Sequence, residues 1–489
     1  MLLGIDIGTS ACKIALFEHD GSVMASVSQS YETFYPYPGW AQQNPDSWWD
    51  AVCHGIKQLI QITGFDPAQI DGIGVDGQSW SMVPVDRDGN CLACTPIWLD
   101  TRAQPVCDEL EQKMDTDRIF SIAGNVLRPS YSTPKIIWLK REYPEIYRET
   151  DKFLQSNSFI VMKLTGEKSQ DYSQGYGLHF FDQTKLVYDE YLADDFGIEL
   201  DKLPQLYPCH SIVGSVTSRA ALECGLKEGT PVVAGGLDAA CGTLGAGVYQ
   251  EGQTQEQGGQ AGGMSICTSA ATPHPSLILG THVVPGKWLL QGGTVGGGGV
   301  LRWFKQELGD HMNFDSLVEL AGEIPAGAEG VRFLPYMSGE RSPIWNPNAK
   351  GVFFGLSFDK TKGHMVRAAL EGVAFSLEHN LRIAAETGIQ IDSLTAMGGA
   401  AKSYLWTQIK ADVTGKVFEV TGADTATALG AAMVAGVGTG VYRDFEDAVS
   451  RTTKITRVHI PDDRMHEIYK DAMEHYLKLY ESLKEMFLP

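Results

Sequence analysis

The stretch that most constrains how this chain folds runs from Pro231 to Val248 and reads PVVAGGLDAACGTLGAGV. A short apolar run ends in a double glycine, the carboxylate of Asp238 follows, and mostly small residues continue to Gly247. The pattern predicts a buried strand and a glycine-permissive turn with open space around the carboxylate. Such an acid suits a general base that faces a cleft, but an acid also commonly caps the next helix. The stretch alone leaves both interpretations of Asp238 open.

Length and charge limit the classes of protein that the chain can form. Its 489 residues exceed what one hydrophobic core usually serves, so we expect two or three domains. The apolar run after Asp238 ends near Gln250–Gln253, which divides the chain into domains of residues 1–250 and 251–489. The net charge is −21 without any run of Lys or Arg, so nucleic acid is not an expected partner. A local basic pocket for a small phosphate remains compatible with this charge.

The sequence does not predict a secreted or membrane protein. The N-terminus enters a strand pattern directly and lacks the parts of a signal peptide. Two uncharged stretches, about 257–286 and 425–442, are interrupted by polar residues, Gly or Pro, so we expect no membrane-spanning segment. The nine cysteines contain a single CxxC, Cys91 and Cys94, without the second pair typical of a zinc site. This usage predicts reduced thiols and a cytoplasmic protein.

The first 28 residues predict a three-stranded meander. Its first turn reads GIDIGTS, and the glycines and hydroxyl groups there expose backbone N–H groups that can cradle a phosphate. Asp6 could hold a cation or its waters nearby. An ordinary hairpin turn needs the same residues, so the motif alone leaves its function open.

Residues 72–86, GIGVDGQSWSMVPVD, predict a strand, a glycine turn and a second strand. The turn carries Gln78, Ser79 and Trp80, a flat ring beside two small hydrogen-bonding groups, which is a combination that holds sugars. A Trp that only fills the core is an equally good interpretation. Further along, Asp100 and Arg102 lie two residues apart and either pair with each other or point one group into a cleft.

The second half is dense in glycine between residues 249 and 300, and a double glycine recurs at Gly398-Gly399. Glycines next to strands let a backbone approach a polyanion closely, and a flexible loop is the alternative. Residues 364–388 and about 462–486 predict helices, and DTATALGAAMVAGVG, residues 424–438, predicts an Ala/Gly-rich helix. Residues 151–230 read as a lid or insertion. Both halves open with glycine-punctuated strands and continue into helices, a pattern typical of a duplicated architecture.

Several segments resemble the FGGY family of carbohydrate kinases, which belongs to the actin-like, ribonuclease-H-like ATPase superfamily. Two signatures appear intact, SYSTPKIIWLKRE at 130–142 and GVFFGLSFDKTKGHMVRAALE at 351–371. The segments GIDIGTSACK, GWAQQNPDSWW, WLDTR, GGLDAACG, GERSP and MGGAAKSYLWTQIKADVTG are also similar to family segments. The resemblance extends from residue 1 to about 440. Length and overall pattern are most similar to the xylulokinase branch.

The resemblance implies an α/β fold of two actin-like domains with ATP, Mg²⁺ and a sugar in the cleft between them. Asp238 would accept a proton from a sugar hydroxyl as its oxygen attacks the γ-phosphate, and Asp6 would lie close to the Mg²⁺. The implied sugar contacts are Gln78, Ser79, Trp80, Asp100 and Asp238. The implied nucleotide contacts are Thr9, Ser10, Lys13, Thr268, Gly298, Gly399 and Ser403.

The sequence departs from the family pattern in two places. Where many relatives have a Gly-Thr-Ser/Thr-Gly phosphate loop, we read Cys267-Thr268-Ser269-Ala270, and the glycine-rich run 292–299 is the candidate replacement. The sugar turn has Ser79-Trp80 in place of the Arg-Glu of glycerol kinases and the Met-His common in xylulose relatives. Glycerol is therefore disfavoured, and the sugar is not fixed by the turn.

The leading hypothesis is a kinase that converts D-xylulose to D-xylulose 5-phosphate with Mg-ATP. Gluconate, ribulose or another ketose or polyol is the alternative substrate. A different class of function is an actin-like ATPase module whose turnover ignores sugars, and a third is a kinase-like protein that binds a sugar for signalling. The oligomeric state is left open, with a homodimer among the alternatives.

Overall fold

The computed structural model describes residues 1–422 and 425–487. Its main strands form two mixed sheets of seven strands each, one in each half of the chain. We call the sheet of the first half and the elements packed on it the first lobe, and those of the second half the second lobe.

The strands of the first half are β1 (Leu2–Ile7), β2 (Ala11–Phe17), β3 (Val23–Ser30), β4 (Gln42–Gln43), β5 (Gly72–Gly77), β6 (Val83–Val85), β7 (Thr95–Pro96), β8 (Lys152–Leu154), β9 (Ser169–Asp171), β10 (Phe181–Asp182), β11 (Val187–Tyr188), β12 (Gln205–Tyr207), β13 (Ile212–Ser215), β14 (Pro231–Val233) and β15 (Gly236–Leu237). Its helices are α1 (Pro45–Thr63), α2 (Gln104–Lys113), α3 (Thr116–Ala123), α4 (Ser132–Glu142), α5 (Pro144–Glu149), α6 (Ser156–Thr165), α7 (Glu190–Asp195), α8 (Ser218–Cys224) and α9 (Asp238–Gly245).

The strands of the second half are β16 (Gln253–Gly258), β17 (Gly262–Thr268), β18 (Ile278–Thr281), β19 (Trp288–Thr294), β20 (Arg332–Leu334), β21 (Val352–Phe354), β22 (Ser393–Met397), β23 (Val417–Thr421) and β24 (Ile455–His459). Its helices are α10 (Gly298–Leu308), α11 (Phe314–Gly322), α12 (Lys362–Ala385), α13 (Tyr404–Thr414), α14 (Ala426–Gly438), α15 (Phe445–Thr452) and α16 (Asp463–Leu483).

The two sheets repeat one topology. In the first, β1 pairs antiparallel with β2, which pairs antiparallel with β3, while β5 and β14 continue in parallel from β1. In the second, β16 pairs antiparallel with β17, which pairs antiparallel with β19, while β22 and β23 continue in parallel from β16. Each sheet also has an antiparallel edge strand beyond its parallel strands, β13 in one and β24 in the other. The predicted opening meander is therefore confirmed, and the echo between the halves is a repeat of topology.

Local signals in the sequence set the helices that cover these sheets. Helix α1 begins with Asn44 as its cap and Pro45 in its first turn, and it ends at Gly64 in the left-handed conformation. Its buried face packs with α6 against the apolar side of the first sheet. Helix α6 lies within the predicted lid or insertion, so that interpretation is wrong for this part of residues 151–230.

Helix α14 lies in the second half of the chain but packs on the first lobe, against β1, β5 and α9. This close approach requires glycines, because a Cβ atom at Gly74 would overlap the carbonyl oxygen of Ala431 and one at Gly430 would overlap that of Cys241. The boundary at residue 250 therefore marks the first crossing between lobes, and α14 returns after the second sheet. The predicted Ala/Gly-rich helix is confirmed from Ala426, while Asp424 lies outside the described residues.

The two uncharged stretches also have structural explanations. One of them supplies β17 and β18 of the second sheet, and the other supplies the buried helix α14. Among the helices of residues 1–422 and 425–487, none has both the length and the hydropathy that crossing a membrane requires.

Candidate active site

Two of the cavities between the lobes share part of their walls. The larger has a volume of about 430 Å³ and the smaller about 240 Å³. Both are lined by Asp238 and Ala239 of the first lobe and by Gln255 and Gln257 of the second. These shared residues mark the place where contents of the two cavities would meet.

Asp238 is the first residue of α9, directly after β15. Its carboxylate accepts a hydrogen bond from the backbone N–H of Ala239 at 2.6 Å, and it remains partly accessible from the cavities. The surrounding protein, together with the negative charge of Asp6, raises its pKa to about 7. A carboxylate with this pKa can accept a proton near neutral pH. Asp238 thus borders the cleft from the first turn of α9, whose N-cap is Leu237, so its side chain does not act as the helix cap.

Asp6 lines the smaller cavity and lies beside Asp76 in the parallel pairing of β1 with β5. Burial raises the pKa of Asp6 to about 6, partly offset by Asp76 and Lys13, and burial raises the pKa of Asp76 further. Among the described residues no N–H or O–H group donates to Asp76. Paired carboxylate oxygens of this kind are ligands that Mg²⁺ prefers, with phosphate oxygens completing its shell.

The two carboxylates do not form a complete protein cage for a metal ion. Within the described ranges, no three His, Cys, Asp or Glu side chains converge as a set of ligands. The donor set therefore fits an ion that binds together with a phosphate ligand rather than one held by protein alone.

Aromatic side chains form one wall of the larger cavity. Trp80 stacks on Tyr131 with ring centroids 4.1 Å apart, and Tyr176 lies against the same indole at 5.5 Å. The indole N–H of Trp80 is buried and has no hydrogen-bond partner among the described residues. Ser79 also lines this cavity and accepts a hydrogen bond from the hydroxyl of Tyr176 at 2.8 Å. Aromatic surface with a hydroxyl group beside it can hold a polyhydroxylated ligand.

A second indole, that of Trp98, contacts the turn between β1 and β2. Trp98 lines the larger cavity and donates from Nε1 to the hydroxyl of Thr9 at 2.9 Å. The guanidinium of Arg341, from the second lobe, lies 5.7 Å from the ring of Trp98 and donates to the carbonyl of Thr294 at 3.1 Å. Arg341 therefore brings a positive charge into the larger cavity from the opposite lobe.

The second lobe presents the turn between β16 and β17 to the larger cavity. The two strands remain paired up to Gly258 and Gly262, and Gln260, Ala261 and Gly262 line the cavity. The position predicted for a phosphate loop is wrong, because Thr268 lies at the other end of β17, ~20 Å from Gly262 at 3.3 Å per residue. Its hydroxyl donates to the carbonyl of Ala270 at 2.8 Å.

The predicted glycines of the second lobe gather behind this turn. Gly298 donates from its backbone N–H to the carbonyl of Gly259 at 2.7 Å. Gly398 approaches the carbonyl of Gly258, so a Cβ atom there would lie 2.9 Å from it. Gly399 and Ser403 follow Gly398, and Ser403 caps α13 through the backbone N–H of Trp406.

Four other predicted residues do not line either cavity. Asp100 is fully buried and pairs with Arg102 at 2.8 Å, so the structure favours the ion pair over a cleft-facing carboxylate. Gln78 is buried and donates to Gln43 at 2.8 Å. Ser10 is exposed, and Lys13 is the register partner of Asp6 in the first hairpin.

The sequence interpretation missed Gln255, Gln257 and Tyr176, which line the cavities, and Asp76, which lies buried beside Asp6. A signal for Asp76 existed, because GIGVDG places an acid inside an apolar strand as GIDIG does. The run TQEQG was a signal for Gln255 and Gln257, because it contains no apolar side chain and strands paired on both sides rarely lack them.

Comparison with known proteins gives the family. Residues 1–245 match the N-terminal domain, and residues 262–439 the C-terminal domain, of the FGGY family of carbohydrate kinases. The xylulose kinase of Staphylococcus epidermidis (strain ATCC 12228 / FDA PCI 1200) is 32% identical over 488 residues, which cover 99% of this chain and 97% of that protein. The xylulose kinase of Escherichia coli (strain K12) is 31% identical over 99% of each chain.

A solved structure agrees with these sequence relatives. The crystal structure of xylulose kinase from Rhodospirillum rubrum superposes with a TM-score of 0.92 over 99% of each chain, at 30% sequence identity. That structure has the two-domain actin-like, ribonuclease-H-like architecture, and the two sheets of repeated topology in this chain agree with it. This chain therefore belongs to the FGGY family of carbohydrate kinases.

Proposed function

We propose that this kinase transfers the γ-phosphate of ATP to D-xylulose and forms D-xylulose 5-phosphate. The observation that carries the proposal is the position of Asp238, whose carboxylate borders both the larger and the smaller cavity. A sugar in the larger cavity and phosphates reaching the smaller one would therefore meet beside a base whose pKa is about 7.

In the proposed reaction Asp238 accepts the proton of a sugar hydroxyl. The hydroxyl oxygen forms a bond to the γ-phosphorus, the bond from that phosphorus to the bridging oxygen breaks, and ADP leaves with the electron pair. The turn after Gly8, whose own N–H donates to the carbonyl of Ala11, would bring backbone N–H groups toward the phosphates from the first lobe. The turn between Gly258 and Gly262 lines the larger cavity and would meet the γ-phosphate from the second lobe where the two cavities join. Asp6, with Asp76 behind it, would hold Mg²⁺, which neutralises phosphate charge when bound.

The aromatic wall supports a sugar as the acceptor. Trp80 and Trp98 line the larger cavity with aromatic surface, and the hydroxyl of Ser79 beside them can bind a sugar hydroxyl. Closure of the two lobes around both substrates would exclude water from the γ-phosphate and limit hydrolysis of ATP. Positioning of this kind supplies most of the catalysis in phosphoryl transfer.

One observation favours gluconate as a second candidate. The guanidinium of Arg341 lies in the larger cavity, and its only hydrogen bond to another residue within the described ranges is to the carbonyl of Thr294. A guanidinium with free N–H groups matches a carboxylate better than it matches a neutral ketose.

A coupled ADP-release assay over D-xylulose, D-ribulose, gluconate and glycerol tests the function. We expect the highest kcat/KM for D-xylulose and the lowest for glycerol. A preference for gluconate that disappears in Arg341→Met would replace D-xylulose by the second candidate. ATP turnover that no sugar changes would contradict a sugar kinase and support an actin-like ATPase module.

A cytoplasmic location and a homodimer remain parts of the proposal. The cytoplasm supplies ATP and keeps the nine cysteines reduced, and all nine are free in the structure. Size-exclusion chromatography with light scattering would measure the oligomeric state directly.

A further inference from the structure

The central strand of the second sheet has an unusual composition. Strand β16 is paired on both sides, by β17 and β22, yet its sequence QTQEQG contains no apolar side chain. Strands in such positions are normally rich in Val, Ile and Leu. A central strand that departs from this apolar composition commonly marks a functional position.

One of these polar residues has a structural partner on the face of β16 that is turned away from the cleft. Glu256 is buried and accepts a hydrogen bond from the ammonium group of Lys410 at 2.6 Å, and both side chains are at most 5% exposed. This ion pair satisfies the charge of Glu256 inside the second lobe. It does not explain Gln255 and Gln257, whose side chains point to the other side of the strand.

The cleft face of β16 presents those two amides to the shared wall of the cavities. Gln255 is 5% exposed, and its amide donates a hydrogen bond to the thioether sulfur of Met397 at 3.2 Å, which is a weak acceptor. Gln257 is exposed to the cleft, and its amide makes no hydrogen bond within residues 1–422 and 425–487. Both amides therefore retain donor groups that face the same space as Asp238.

The repeated topology gives Gln257 a counterpart. Asp6 and Gln257 each stand one residue before the last pair of a hairpin, Ile7 with Cys12 in one lobe and Gly258 with Gly262 in the other. Each also has a neighbour on the adjoining parallel strand, Asp76 for Asp6 and Met397 for Gln257. Matching positions thus hold an anion on one side of the cleft and a neutral donor on the other.

We propose that the side-chain amides of Gln255 and Gln257 donate hydrogen bonds to the phosphoryl group while it passes from ATP to the sugar. This inference rests on the proposed phosphoryl transfer and adds the second lobe's contacts to it. A phosphoryl group beside Asp238 needs donors from the opposite side, because carboxylates repel its oxygens. Neutral amides provide these donors without holding the anionic product as strongly as a lysine would.

The test uses the full-length enzyme and a matched series on one strand. Gln257→Leu and Gln255→Leu should lower kcat at least about tenfold while the KM for the sugar and the Kd for Mg-ADP change by less than about threefold. Gln257→Glu should lower kcat more than Gln257→Leu, because it removes the donor and adds a negative charge. The control is Gln253→Leu on the same face of the strand. Gln253 accepts hydrogen bonds from the backbone N–H groups of Tyr249 and Gln250. This variant should keep kcat within about threefold of the wild type.

A second readout does not depend on turnover of any sugar. Aluminium fluoride with Mg-ADP mimics the transferring phosphoryl group, and its binding can be followed by tryptophan fluorescence without sugar. The wild type should bind this complex at least about tenfold more tightly than Gln257→Leu, with equal affinity for Mg-ADP alone. The inference would be overturned if Gln255→Leu and Gln257→Leu both kept the kcat of the wild type and its affinity for aluminium fluoride with Mg-ADP. A wild type that phosphorylates no sugar would instead overturn the proposed function, while the fluoride measurement would still decide the role of the amides.

Discussion

In the first lobe the hairpin of β1 and β2 carries Asp6 beside its turn, whereas the matching hairpin of β16 and β17 carries Gln257 there. The neighbouring parallel strand repeats the contrast, with Asp76 in one lobe and Met397 in the other. The same topology therefore supports acids on one side of the cleft and amides and glycines on the other. Under the proposed function, a phosphoryl group transferred in the cleft would meet a proton acceptor and cation ligands on one side and neutral donors on the other.

The largest expected effect comes from removing the proton acceptor of the first lobe. Asp238→Asn keeps the shape of the side chain but cannot accept a proton from the sugar hydroxyl, so kcat should fall about 10²–10⁴-fold. Binding of ATP and of the sugar should change little. Steady-state kinetics and fluorescence titration measure both, and a variant that keeps more than about a tenth of the turnover would refute the role of the base.

A smaller effect should follow from moving the glycine turn of the second lobe. In Gly298→Ala the new Cβ would lie 2.7 Å from the carbonyl oxygen of Gly259 and displace the turn between Gly258 and Gly262. We expect the KM for ATP to rise about tenfold, with a smaller change for the sugar. Gly322→Ala at the end of α11, where the Cβ would be 3.6 Å from Leu405, is the control. Equal KM values for ATP in Gly298→Ala and Gly322→Ala would show that this turn does not contact the nucleotide.

The aromatic wall should affect the sugar and spare the nucleotide. Trp80→Ala removes a ring face of the larger cavity, so the Kd for the sugar should rise about tenfold while that for Mg-ADP changes little. Trp40, whose ring lies 3.7 Å from the guanidinium of Arg102 outside both cavities, gives the matched control Trp40→Ala. Equal weakening of both ligands in Trp80→Ala would count against a sugar wall.

The carboxylate of Asp238 should also affect stability, which is measured separately from activity. Folding raises the pKa of Asp238 from 3.8 to about 7, so ionisation of its carboxylate increasingly destabilises the folded protein as pH rises through this interval. Asp238→Asn removes that cost, and its gain in Tm over the wild type should grow between pH 4 and 7 and then level off. Differential scanning calorimetry without ligands measures this gain. A gain that is independent of pH would show that the carboxylate is not destabilised by burial and by Asp6.

The sequence was most informative where a feature is local. The meander of residues 1–28, the cap of α1 at Asn44 and the turn that exposes Asp238 each follow from a few adjacent residues, and the structure confirms these elements. The second lobe was harder because its turn depends on register. Strand β17 continues through Thr268, and the turn lies where Gly258 pairs with Gly262, so similarity in the hydroxyl-rich run at Cys267 misplaced it.

Other features depend on contacts distant in sequence. The pairing of Asp100 with Arg102 was one of two predicted alternatives, and the cavities alone show that this pair lies outside them. Helix α14 returns to the first lobe, which no composition boundary at residue 250 could reveal. Asp76 and Gln257 become site residues only once strands from different parts of the chain lie side by side.

The most direct measurement is a crystal structure of Asp238→Asn with Mg-ATP and D-xylulose bound. The account predicts one sugar hydroxyl oxygen within about 3 Å of the side chain at position 238 and in line with the γ-phosphorus, between that residue and the amides of Gln255 and Gln257. A sugar bound in the larger cavity with every hydroxyl remote from position 238, or a γ-phosphate that lies outside the junction of the two cavities, would contradict it.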